Sequence, residues 1–110
     1  MTADEFRQLA LALPDVVEQA HMQHPDFRVR GRIFATLDRA GRQGMVTLAP
    51  AQQAARIAAD PGNWSAASGA WGRQGCTWVV LAQADAGVVG EALRDAWERQ
   101  AAKPPARRRG

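Results

Sequence analysis

Two periods alternate along this chain, and each change of period marks a change of element. Phe6, Leu9, Ala10 and Leu13 recur at the i, i+3, i+4, i+7 spacing of one helical face. Thr2 and Glu5 ahead of them have the spacing of a capping box, and Pro14 disfavours helix at Leu13. A first helix over 3–13 is predicted. Asp15 to Ala20 reads as a turn running into a short strand. Phe27 and Val29 then alternate with Arg28 and Arg30, Gly31 permits a tight reversal, and Ile33, Ala35 and Leu37 alternate with Arg32, Phe34 and Thr36. The segment from His21 to Asp38 is therefore predicted as a hairpin. Its outward face would carry Arg28, Arg30, Arg32, Phe34 and Thr36.

A polar, glycine-containing loop over 38–44 leads to a strand over 45–49. Pro50 suits the first turn of a second helix, which has a narrow face of Ala54, Ile57 and Ala58 and stops at Asp60-Pro61-Gly62-Asn63. Residues 64–75 are rich in Gly, Ser and Ala and read as a loop with room for one short strand. Cys76 to Ala82 is strand-like. Asp85 caps a last helix with a face of Val89, Ala92, Leu93, Ala96 and Trp97, ended by Lys103-Pro104-Pro105. Hairpins imply a mainly antiparallel sheet. The broad faces of the first and last helices should cover one side of it, giving an α+β two-layer sandwich. The other side is open or partly covered by the second helix.

The length of 110 residues suits one domain, here 1–103, with a basic disordered tail over 104–110. No apolar run approaches the roughly 20 residues that span a bilayer, and the N-terminus lacks a signal-peptide pattern. A cytoplasmic bacterial protein, monomeric and without membrane contact, is expected. The net charge of +3 misleads about the folded surface. Lys103, Arg107, Arg108 and Arg109 belong to the last eight residues; without them ten basic residues face eleven acidic ones, leaving 1–102 at −1. A nucleic-acid site on the fold would need local clustering of arginine.

Candidate chemistry is sparse. Cations interleaved with Phe34 suit a phosphate backbone and unstacked bases, whereas a solvated strand face is the plainer alternative. Trp78 alternates with Val79 and would join the same face. Gly72-Arg73-Gln74-Gly75 has the form of a backbone-clamping loop but precedes a strand, so it reads as a turn from which Arg73 reaches an anion. His21 and His24 lack further ligands for a metal, and no cofactor is called for. The single Cys76 has no base or cation nearby in sequence and reads as a buried structural thiol. No nucleophile, base and acid converge, so no enzyme is expected; a histidine beside Cys76 in a pocket would change that. Trp64 and Trp71 flank the Gly/Ser-rich loop and, with Trp78, would line a groove for a ligand or partner; closure of the domain edge is the alternative for Trp64 and Trp71.

Several pieces together resemble one family. They are Leu-Ala-Leu-Pro at the end of the first helix, His21-Met22-Gln23-His24-Pro25-Asp26-Phe27-Arg28-Val29, and Gly31-Arg32-Ile33-Phe34-Ala35-Thr36-Leu37. Leu48-Ala49-Pro50-Ala51-Gln52-Gln53, Gly69-Ala70-Trp71-Gly72-Arg73-Gln74-Gly75 and Asp95-Ala96-Trp97 follow. In order and spacing the chain resembles the MmcQ/YjbR family of small bacterial proteins over about residues 2–104. The resemblance implies a fold like that of secretion chaperones and a double-wing DNA-binding role. It brings no catalytic residues. Cys76 departs from the aromatic that relatives often carry before the threonine, and Ala49 from their frequent Thr cap, at a cost of about 0.5–2 kcal/mol. Two functions compete. One is DNA binding by Arg28, Arg30, Arg32, Phe34, Arg73, Lys103, Arg107, Arg108 and Arg109, salt-dependent and weak. The other is a non-enzymatic protein- or ligand-interaction module using the open sheet face and the tryptophan loop.

Overall fold

A computed structural model describes residues 1–104; the tail arginines at 107–109 lie outside the described residues. The elements are α1 (Ala3–Leu11), β1 (Val16–His21), β2 (His24–Val29), β3 (Arg32–Leu37), β4 (Gln43–Thr47), α2 (Pro50–Ala59), β5 (Trp64–Ala66), α3 (Gly69–Arg73), β6 (Cys76–Val80) and α4 (Ala86–Ala101), with a 3-10 turn at Leu81–Gln83. The six strands form one sheet in the order β1-β2-β3-β4-β6-β5, antiparallel throughout. The α+β sandwich is as expected.

Local chemistry explains the element ends. Thr2 Oγ1 accepts from the Glu5 amide at 3.1 Å and Glu5 Oε1 accepts from the Thr2 amide at 2.9 Å, completing the capping box of α1. Asp85 Oδ1 accepts from the Val88 amide at the start of α4. Both turns of the β1-β2-β3 meander use two consecutive residues with positive φ: Met22 and Gln23, then Arg30 and Gly31. That geometry matches the right-handed twist of paired strands. The short helix α3 falls in the segment read as loop. Gly72 sits inside it because a Cβ there would run into the Ala67 carbonyl.

The core lies between the sheet and its helices. Phe6 of α1 meets Phe27 of β2 edge to face, with centroids 6.2 Å apart. Gly44 of β4 leaves room for the Phe6 ring, which a Cβ would strike. Val89, Ala92, Leu93 and Ala96 of α4 complete the layer, and Trp97 Nε1 donates to the Pro14 carbonyl at 2.9 Å. Helix α2 joins the same side: Ile57 packs against the core and Arg56 reaches Glu91 and Asp95 of α4 at 3.3 and 3.9 Å. The opposite face of the sheet is left uncovered by the three long helices.

The hairpin differs from its expected form at one residue. Phe27 pairs with Ala35, but the next residue, Arg28, pairs with Ile33, so Phe34 is the extra residue of a β-bulge. Phe34 is 0% exposed and belongs to the core, as does Ala35. The outward arginine-phenylalanine face therefore does not form.

Candidate functional site

The uncovered sheet face carries a cleft of about 880 Å³. Strand alternation supplies its floor. Thr36 pairs with Met45, Met45 with Trp78, and Thr47 with Cys76, and all five side chains line the cleft. Ile33 joins them because the bulge turns it to this side. The β1-β2 turn contributes His21, Met22 and His24. The α3 region contributes Ser68, Trp71 and Gln74, and the end of α4 contributes Arg99, Gln100 and Lys103. Trp71 is 68% exposed and Met22 86% exposed, which leaves two large apolar side chains at the mouth.

A buried acid anchors the side near β1. Asp26 is 0% exposed, with His21 Nδ1 2.7 Å from Oδ2 and Arg28 Nε donating to Oδ1 at 2.8 Å. Burial pushes its pKa up, but the hydrogen bonds and charges of Arg28 and His21 outweigh this and hold the carboxyl below its ordinary value. The same contact raises the pKa of Arg28. Arg28 is thus committed to an internal ion pair. The His21 and His24 rings stack with centroids 5.8 Å apart. Among the described residues no group of three or more His, Cys, Asp or Glu side chains gathers to hold a metal.

Cys76 is buried beneath the cleft, and burial pushes its thiol pKa up despite the charge of Arg99. His21, His24 and Cys76 all line the cleft, yet no hydrogen bond joins either ring to the thiol among the described residues. A protonated thiol is a poor nucleophile.

The other predicted site residues scatter. Arg30 is exposed at the β2-β3 turn. Arg32 pairs with Val29 on the helix side of the sheet, opposite to Arg28, and its Nε donates to the Pro104 carbonyl at 2.9 Å. Arg73 is exposed at the end of α3. Lys103 lines the cleft. Of the three groove tryptophans, Trp71 and Trp78 meet at the cleft, but Trp64 does not: it is 3% exposed and closes the core opposite Val79. Sequence reasoning missed Arg99 and Gln100, which sit on the polar side of α4. The only sequence signal for them is their place one turn from Lys103 in the last turn of that helix.

Comparisons with known proteins agree on the fold. The structure matches a crystal structure of Deinococcus radiodurans protein DR2400, described as a DUF419 domain, with a TM-score of 0.73 and 21% identity. The match covers 87% of this chain and 75% of that one. No curated protein matches the chain. No helix among the described residues is long and apolar enough to cross a membrane. A family model named YjbR matches residues 11–99, most of the sequence and nearly all of the sandwich. The chain belongs to the YjbR family.

Proposed function

We propose that this small YjbR domain is a non-enzymatic binding module whose working surface is the cleft on its open sheet face. The cleft itself carries the reading: about 880 Å³ of largely apolar space with Trp71 at its mouth and Trp78 on its floor. Pockets of this size hold drug-sized ligands or the side chains of a partner. The protonated state of Cys76 and the engagement of His21 with Asp26 favour recognition over catalysis. A fragment screen followed by backbone amide shifts tests it. Binding fragments should perturb Thr36, Met45 and Trp78 together. Hits scattered over the helices, or none, would overturn the reading.

DNA binding is a second reading, favoured by one observation. Arg30 is exposed at the β2-β3 turn, and Arg32 holds the segment at Pro104 that leads towards Arg107, Arg108 and Arg109. Arg30 and Arg32 flank the β2-β3 turn rather than lining one strand face. Duplex DNA titrated at about 50 and 200 mM salt would then lose affinity steeply with salt. Changing Arg30 and Arg32 to alanine should weaken binding. Loss on deleting 105–110, with no effect of the double change, would assign the attraction to the tail.

A further inference from the structure

The cleft's charge and its apolar surface narrow what it takes. None of its lining side chains is a carboxylate, although residues 1–102 carry more acids than bases. Its Arg and Lys lie together at one end, with Arg99 in the last turn of α4 and Lys103 just past the C-cap Ala102. Arg99 donates to the Leu48 and Gln74 carbonyls at 2.9 and 3.2 Å, which fixes the guanidinium in place. Lys103 has no such role: its ammonium makes no hydrogen bond or ion pair among the described residues. Burial and the neighbouring charges of Arg99 and Arg32 pull its pKa down. Such a crowded cation gains from an anion beside it.

Two further polar atoms lie covered within residues that line the same space. Thr36 Oγ1 and Gln100 Oε1 are buried without a hydrogen-bond partner among the described residues, and both residues line the cleft. Thr36 is 95% buried by its 5% exposure, and the Gln100 amide is held by donation from Nε2 to the Ile33 carbonyl at 2.9 Å. A buried polar atom left unpaired costs about 1–3 kcal/mol. Both atoms are covered, so what the cleft itself presents is an apolar surface next to the fixed positive charge of Arg99.

Resting on the cleft as the working surface, we propose that it takes a small aromatic anion. The flat apolar body lies against Trp71 and Trp78, and the carboxylate or phosphate lies at Arg99 and Lys103. Aromatic faces stack at low entropic cost, and charge-assisted hydrogen bonds exceed neutral ones in strength.

Three probes of one shape test this: 2-naphthoate, 2-naphthyl phosphate and the neutral 2-naphthamide, titrated into the full chain and followed by amide shifts and tryptophan fluorescence. At least one anion should bind about tenfold more tightly than the amide, with shifts at Thr36, Trp78 and Lys103. Which anion binds better distinguishes a carboxylate source from a phosphate one. Lys103→Gln should remove most of that preference while leaving amide binding unchanged. Trp71→Ala should weaken all three probes alike. Equal binding of amide and anions within the cleft overturns the anion proposal and leaves the cleft reading standing. A preference undiminished in Lys103→Gln overturns the placement. If no probe moves the cleft residues, the proposal falls, and the fragment screen decides the reading beneath it.

Discussion

Asp26 shows how much one residue sets in this fold. It sits between a histidine at the cleft and an arginine on the strand, and the sheet offers it no water. Its folded pKa lies below the ordinary 3.8. The stabilisation is therefore fully present above about that value and is lost as pH falls through the lower, folded one. Asp26→Asn should cost about 1–3 kcal/mol near neutral pH, measured by urea unfolding. The variant should also lose part of the decline in stability that the parent shows below pH 3.8. An identical acid limb in both proteins would show the carboxylate is not held as described. A second residue acts by having no side chain. Gly44→Ala would push a methyl into the Phe6 ring, and overpacking of this kind costs about 1–3 kcal/mol. A melt showing no loss would mean that α1 shifts freely.

At the scale of elements, α2 and the hairpin turns hold unused stability. Ala49 gives α2 no side-chain cap, and only the return contact survives, with Gln52 Oε1 accepting from the Ala49 amide at 3.1 Å. Ala49→Ser should raise stability by about 0.5–2 kcal/mol, read as a higher melting temperature. Gln23, with φ of 68°, occupies the left-handed region. Gln23→Gly should gain up to about 1 kcal/mol by the same measurement. Element order was legible because α1, α2 and α4 carry helical periodicity between clear caps and breakers, and the strands alternate. What escaped had no local signature. The run Arg32-Ile33-Phe34-Ala35 fits a plain alternating strand as well as a bulged one, and only pairing with β2 decides. Helix α3 contains two glycines and is shaped by a close contact with Ala67 rather than by propensity. Nothing local marks Asp26 as buried, and only the folded sheet makes it the partner of Arg28.

Over the whole molecule, the division of labour between the two sheet faces is the main result. Three helices close one face and leave the other to a cleft whose rim comes from distant parts of the chain. Its residues run from His21 to Lys103, which is why the cleft was only half legible: Trp71 and Trp78 were picked out as aromatic, but Arg99 and Gln100 look like ordinary polar helix surface. The basic composition was a poor guide, since the folded arginines that seemed to form one strip are divided between faces. Arg28 lies on one side of the sheet and Arg32 on the other.

That division comes from the bulge at Phe34. Before it, odd-numbered residues of β3 face the cleft; after it, even-numbered ones do. The bulge works like a frameshift in a message of period two. Deleting residue 34 would restore one frame through the strand. Ile33 would then adjoin Ala35, with Arg32, Ala35 and Leu37 kept on the helix side and Ile33 and Thr36 on the cleft side, and the loss would be the core ring of Phe34. The extra position of β3 therefore supplies the core with the Phe34 ring beside Ala35, while the two faces of the strand are kept by the pairs on either side of it.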